Sequence, residues 1–360
     1  MKKGISGLVR VLVSFGLLGL LVWFMRKDAG DIVASLVGVN FGIIGICAVL
    51  IVVNVSLQGY RLKIIFLGED IDITLRRSLE LTFVGYFFNN FMPTAVGGDI
   101  VKAHYAGVSS GKRVQSYASV FMDRMIGLYT FIIVAAIALI IDRGRLELPG
   151  VRPIVFVLMI MGIAGYVVLT HEIIAVFLEK IFTRIRMFGI GKKLNSVYAV
   201  VHDYRNRRDV IIKSAVTSLA AQLVYFSVIY LVFIALGEAV TIGNIMLIMP
   251  VVIFVSMLPS IGGLGVREGA IVALFTPLVG KDSSFAASLL VLASLLFISL
   301  IGGLIYAWWG ISGIRVKGQG AEDVMSEVDR NVHVSAPGVK GQKHRVMGHE
   351  SQTPGTPRTL

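Results

Sequence analysis

The chain has a single cysteine in 360 residues, Cys47, and it lies within an apolar run. That excludes an intrachain disulfide and any cluster of thiolate metal ligands, and leaves Cys47 as a packing residue. Charge is scarce as well: 16% of residues are Asp, Glu, Lys or Arg against 56% hydrophobic, and mean hydropathy is +0.81. Soluble domains carry about 25% charged residues, so composition excludes that class. There is no Gly-x-x-x-x-Gly-Lys-[Ser/Thr] phosphate loop, which removes that route to nucleotide hydrolysis. The histidines near the carboxyl terminus, His333, His344 and His349, are too irregularly spaced to suggest a metal site. No cofactor or metal is expected.

What the chain does have is apolar runs of membrane-span length. The first, residues 8–23, follows Lys2 and Lys3, carries Arg10 near its start and ends in Trp23-Phe24-Met25-Arg26-Lys27 where a cleaved signal would need small residues, so it reads as a retained span. Further spans are expected at 41–66, 118–141, 153–170, 211–236 and 284–309, each long enough for a hydrocarbon core of about 30 Å. Two more stretches, 79–96 and 245–278, are apolar but interrupted by Pro, Gly and ionisable residues. They read as re-entrant or broken helical hairpins. The expected fold is therefore an all-α polytopic membrane protein with six full transmembrane helices and two hairpins. Residues 1–315 form its membrane domain, and 316–360, rich in Ser, Gly, Pro and His, a disordered cytoplasmic tail.

The net charge of +12 lies in loops between the apolar runs, where membrane topology explains it better than nucleic acid does. Residues 171–213 hold nine basic and four acidic residues, and the amino terminus, 61–77, 102–113 and Arg315 with Lys317 are also basic. The segments 26–31 and 142–152, Glu238, and Lys281 with Asp282 are nearly balanced. These charges fit one topology, with both termini cytoplasmic, if the hairpins enter from opposite faces in an inverted repeat. Residues 173–188 alternate apolar and basic residues, as either an amphipathic helix on the headgroups or a solvated connector. Trp308 and Trp309 suit an interfacial aromatic belt, and His104 and Tyr105 simple interface anchors.

The two interruptions hold the candidate site, because irregular backbone and charge at membrane depth are tolerated only in protein or against a wet cavity. Pro93 and Pro259 mark the tips. Gly97, Gly98, Gly262, Gly263 and Gly265 allow tight turns and bring amides near a headgroup, with short helices after them aiming positive ends at an anion. Lys102 and Arg267 supply counter-charge to a phosphate, Asp99 and Glu268 pair with them in the empty site, and Asn89 and Asn90 offer hydrogen bonds. Asp123 and Arg124 read as a structural ion pair near the mouth of their span. Asp99, Asp123 and Glu268 are the acidic residues placed to carry a proton. Gly302 and Gly303 suit close helix packing that Ala would largely satisfy.

Phe87-Phe88-Asn89-Asn90-Phe91-Met92-Pro93, Gly97-Gly98-Asp99-Ile100-Val101-Lys102, Met122-Asp123-Arg124-Met125-Ile126-Gly127-Leu128 and the run from Leu258-Pro259 through Gly262-Gly263-Leu264-Gly265-Val266-Arg267-Glu268-Gly269 resemble the lysylphosphatidylglycerol synthase transmembrane region family. The family usually has Arg where Lys102 stands, which keeps the charge and loses the planar fork. The resemblance implies a prokaryotic cytoplasmic-membrane protein that handles lipid. The expected function is a flippase or carrier for an anionic, polyprenyl-phosphate-linked or aminoacylated lipid. The alternatives are a non-transporting lipid-binding accessory of a membrane glycosyltransferase, or a phosphatidylglycerol lysyltransferase-related enzyme. The last fails for want of a soluble domain to bind aminoacyl-tRNA, so no enzymatic activity and no nucleic-acid partner are expected.

Overall fold

The computed structural model describes residues 38–91, 96–142, 150–171, 190–258, 260 and 263–311. The expected first span at 8–23, the tip residues Pro93, Pro259 and Gly262, the 173–188 segment and the tail with its three histidines lie outside these residues.

Ten α-helices and one 3-10 turn make up the described chain. In hydrocarbon the backbone must satisfy its own hydrogen bonds, which is why Val- and Ile-rich runs that would suit strands in water are helical here. Five helices are long and apolar enough to cross a membrane: α1 (Phe41–Gly68), α4 (Arg113–Asp142), α5 (Val151–Thr170), α7 (Arg208–Ala235) and α10 (Lys281–Ile311). The Asn40 side chain starts α1 by accepting the amides of Gly42 and Ile43 at 3.0 and 3.3 Å. The five agree with the five later spans expected from the sequence.

The two interrupted stretches are pairs of short helices: α2 (Leu75–Phe91) with α3 (Gly97–Ser110), and α8 (Ile242–Val255) with α9 (Val266–Val279). Fourteen residues rise about 21 Å, too little to cross a core of about 30 Å. A fifth short helix, α6 (Ile190–Asp203), runs into the 3-10 turn Tyr204–Asn206 before α7.

Side-chain contacts fix the direction of each helix. Asn40 N–H donates to Ala235 O at 3.2 Å, Asn54 Nδ2 to Ala221 O at 2.6 Å, and Gly68 lies against Val210, so α1 and α7 run antiparallel. Tyr204 Oη donates to Ile65 O at 3.1 Å and meets Ser119 Oγ at the same distance, which sets the start of α4 beside the end of α1. Lys112 Nζ donates to Asp70 O at 3.0 Å, so α3 returns to the end where α2 began. Ser283 Oγ donates to Glu238 Oε1 at 2.6 Å, and Trp309 Nε1 donates to Glu80 Oε2 at 3.1 Å. The α2–α3 hairpin therefore opens and closes at the end that carries Arg76, Arg77, Arg205 and Arg207, and the α8–α9 hairpin at the end that carries Glu238 and Lys281.

Helix neighbours repeat under one exchange. The α2 helix lies against α10 as α8 lies against α4; α3 against α4 as α9 against α10; α2 against α1 as α8 against α7. Exchanging α1, α2, α3 and α4 with α7, α8, α9 and α10 maps the arrangement onto itself. Because α1 and α7 are antiparallel, the two units are inverted with respect to each other, as the loop charges suggest.

Among the described residues the largest buried cluster draws on α1, α2, α4, α5, α7, α8, α9 and α10, and within it the Phe233 and Phe275 rings sit 4.7 Å apart. Outward faces are apolar too: Ile137, Ile140, Phe156, Ile160 and Leu304 are exposed, a surface suited to acyl chains and not to water. Two glycines set the closest helix approaches. A Cβ on Gly302 would fall 2.0 Å from Phe83 O, and one on Gly98 would fall 1.9 Å from Gly85 O. The expectation that Ala would satisfy Gly302 is therefore overturned, because the obstruction is backbone carbonyl and cannot swing aside.

Candidate functional site

The described residues flanking both interruptions line one cavity of about 300 Å³. Its wall takes Asn54, Gln58 and Arg61 from α1, Tyr86, Asn89 and Asn90 from α2, Asp99 and Lys102 from α3, and Asp123 and Arg124 from α4. The inverted partners contribute Ser218, Gln222 and Tyr225 from α7, and Ser256, Gly263 and Arg267 from the second hairpin. Every one of these polar groups lies in or between membrane-spanning segments, where ionisable residues are costly to place.

The first hairpin is held by Asn89, whose Oδ1 accepts the Gly98 N–H at 2.8 Å across the break between α2 and α3. One turn on, Asp99 and Lys102 share a face at i,i+3 spacing, and Lys102 Nζ meets Asp99 Oδ1 at 2.8 Å. Arg124 reaches the other oxygen of the same carboxylate from α4. Asp99 is thus bracketed by two cations.

The second hairpin solves the same problem locally. Gly263 and Gly265 take φ values of +81° and +79°, conformations that glycine adopts without the Cβ penalty. Glu268 Oε2 accepts the Gly265 N–H at 2.6 Å, closing the first turn of α9. Its Oε1 accepts from Arg267 Nη2 at 2.6 Å and Nε at 3.1 Å. Glu268 is fully buried and lies behind the wall, while Arg267 lines the cavity.

Asp123 and Arg124 do not form the expected structural pair. Successive helical residues point about 100° apart, so Asp123 faces α1, where Arg61 Nε meets its Oδ1 at 2.7 Å, while Arg124 faces α3 and Asp99. Arg61 Nη1 also donates to Ser218 Oγ at 2.7 Å. Ser218 and Thr130 hydroxyls lie 2.7 Å apart, and Gln222 Nε2 donates to Gly127 O at 3.0 Å and to Thr130 Oγ1 at 2.5 Å. This chain of bonds ties α1, α4 and α7 together across the cavity floor.

Of the residues singled out from sequence, Asn89, Asn90, Asp99, Lys102, Asp123, Arg124, Gly263 and Arg267 line the cavity. Asn90 also anchors α2 to α10, its Nδ2 donating to Ser299 Oγ at 2.5 Å. Gly97, Gly98, Gly265 and Glu268 shape the wall from behind. The amides of Gly98 and Gly265 are taken by Asn89 and Glu268, so they do not offer themselves to a headgroup as expected. Sequence reasoning missed Arg61, Asn54, Gln58 and Gln222. An arginine and three amides within apolar runs are themselves the available signal, since such residues rarely face lipid.

The lysylphosphatidylglycerol synthase transmembrane region model matches residues 7–303. A UPF0104 membrane protein of Methanothermobacter thermautotrophicus is 26% identical over 311 residues, covering 78% of this chain and 87% of its own length. A UPF0104 membrane protein of Pyrococcus horikoshii is 22% identical over 278 residues, covering 70% and 83%. A second Methanothermobacter thermautotrophicus protein of that name is 23% identical over 323 residues, covering 84% and 96%. No solved structure matches. The family match runs through both hairpins and every helix that lines the cavity, and on that ground the chain belongs to the lysylphosphatidylglycerol synthase transmembrane region family.

Proposed function

We propose that the protein is a lipid flippase or carrier that moves an anionic, polyprenyl-phosphate-linked or aminoacylated lipid across the cytoplasmic membrane without changing it chemically. The observation that carries this reading is the meeting of two oppositely directed hairpins at a cavity lined by Arg61, Lys102, Arg124 and Arg267. Buried cations in a membrane domain are favourable only with anionic partners, and a headgroup phosphate supplies one. Inverted units around a central site are the arrangement in which one unit rocks against the other and opens the site to each face in turn. The headgroup then travels through the polar cavity while its acyl or prenyl chains stay among the exposed apolar side chains. The basic end, by its excess of Lys and Arg, is the cytoplasmic one, and both termini lie on that side.

The cavity chemistry supports carriage over group transfer. Among the described residues its lining includes no His or Cys, and the carboxylates Asp99 and Asp123 are each bound to cations, leaving no nucleophile beside a free base. The test is transport of a headgroup-labelled lipid in reconstituted vesicles, read by quenching from outside. Protein-dependent loss of protected label supports the carrier. Binding without movement would replace it with a lipid-presenting accessory for a membrane glycosyltransferase.

A further inference from the structure

Part of the cavity wall is uncharged and has hydrogen-bonding capacity to spare. Ser218, Gln222 and Tyr225 stand at i, i+4 and i+7 on α7, so one helix face brings all three to the cavity. Tyr225 is half-buried, and its Oη makes no hydrogen bond to any described residue. Gln222 is 4% exposed; its Nε2 donates to the Gly127 carbonyl at 3.0 Å, and its Oε1 has no partner. From α2, Asn89 and Asn90 each use one half of an amide. Asn89 Oδ1 accepts the Gly98 N–H at 2.8 Å, which leaves its Nδ2 as a spare donor. Asn90 Nδ2 donates to the Leu295 carbonyl at 3.3 Å and to Ser299, which leaves its Oδ1 as a spare acceptor. Each of the three amides has a backbone partner that can only donate or only accept, so their orientations are fixed.

The spare capacity is mixed in kind. Asn89 Nδ2 donates, Asn90 Oδ1 and Gln222 Oε1 accept, and the Tyr225 hydroxyl does either. A phosphate diester oxygen only accepts and an ammonium only donates, whereas a hydroxyl does both, so hydroxyls are the ligand groups that match all four. Polar groups within a membrane domain are costly when left unmet, and a cavity of about 300 Å³ is of ligand size.

We propose that this uncharged wall recognises hydroxyl groups of the headgroup, with Tyr225 as a specificity-determining residue, so that the lipid carried bears a polyol or a sugar beyond its phosphate. This rests on the lipid-carrier reading and narrows it. The cations of the site attract any phosphate, whatever is esterified to it, and so do not tell one phosphodiester from another. Discrimination falls to the neutral groups, because a site built to hydrogen-bond a hydroxyl rejects the analogue that lacks it. Two kinds of lipid share the selected chemistry, a polyol phospholipid and a prenyl phosphosugar.

The test measures binding of two pairs of short-chain phosphodiesters to the purified full chain, each pair equal in charge and differing in hydroxyls. Dihexanoyl phosphatidylglycerol is compared with dihexanoyl phosphatidylpropanol, and citronellyl phosphomannose with citronellyl methyl phosphate. In one or both pairs the hydroxylated probe should bind at least about tenfold more tightly, and the pair that shows the larger ratio identifies the lipid source. Tyr225→Phe keeps the ring, loses no hydrogen bond within the protein and should cut that ratio about fivefold, in a protein whose monodispersity matches the parent. The parent comparison needs no variant and stands if Tyr225→Phe does not fold. The proposal is overturned if both hydroxyl-free probes bind the parent as tightly as their partners, or if folded Tyr225→Phe keeps the parent's ratio. Absence of binding by all four probes overturns this inference and the lipid-carrier reading together, whereas equal binding within each pair overturns only this inference.

Discussion

The two hairpins place acid and base in the first turns of a short helix, yet they fasten them differently. In the first, Asp99 is held by Lys102 of its own helix and by Arg124 of α4, and the helix start is capped by Asn89 of α2. Its charges depend on three elements staying in register. In the second, Glu268 serves the Gly265 amide and Arg267 at once, all within four residues. The Glu268 contacts stay within the second hairpin, whereas the Asp99 contacts couple the first to its neighbours. On the carrier reading proposed above, charges shared between separate elements are the ones a ligand would exchange with, which makes the first hairpin the expected exchanging half of the site.

The largest effect expected is on sidedness. Cysteine introduced at Arg76, beside the opening of the first hairpin, should react with an impermeant thiol reagent only from the cytoplasmic face, and cysteine at Lys281, beside the second, only from outside. Labelling of both from one face would dissolve the inverted comparison. Next comes fastening: Glu268→Gln removes the buried carboxylate that Arg267 and the Gly265 amide share and should cost about 3 to 5 kcal/mol, seen as a lower melting temperature in detergent. Arg267→Gln with Glu268→Gln should recover much of that stability and not transport; recovery of transport as well would make Arg267 a fastener and remove it from the site. Gly98→Ala drives a methyl into the Gly85 carbonyl and should cost about 1 to 3 kcal/mol by overpacking. Gly45, where an added methyl would meet nothing within 4 Å, should gain up to about 1 kcal/mol as Ala. The smallest change is Asn89→Ala, which loses one cross-break hydrogen bond worth about 1 kcal/mol. A matching loss of lipid affinity would show how far α3 placement matters to binding.

Helices were legible in the sequence wherever apolar runs were long, and the hairpins wherever Pro, Gly and charge broke such runs, because lipid punishes unsatisfied backbone. Residues of one hairpin that lie close in sequence, such as Asp99 and Lys102, were legible for the same reason: helical spacing alone puts them together. Pairs that depend on helix register were not. Nothing in Met122-Asp123-Arg124 says that the carboxylate turns to Arg61, some sixty positions earlier in the chain, and the guanidinium to Asp99. Adjacency suggested a pair, and the helical turn separated it. Gly302 shows the same limit, since an Ala-tolerant packing glycine and one pressed on a carbonyl are identical in sequence.

The most direct test places one cysteine in the cavity wall. Ser256 lines it from the second hairpin, and Cys47, the natural cysteine, is buried. Ser256→Cys, reconstituted in phosphatidylcholine, should react with a small water-soluble thiol reagent, and the reaction should slow by about tenfold or more when phosphatidylglycerol occupies the cavity. An unchanged rate with each of phosphatidylglycerol, a polyprenyl-phosphate-linked lipid and an aminoacylated lipid in the bilayer, the protein being folded, would contradict the claim that two inverted hairpins enclose a lipid headgroup site.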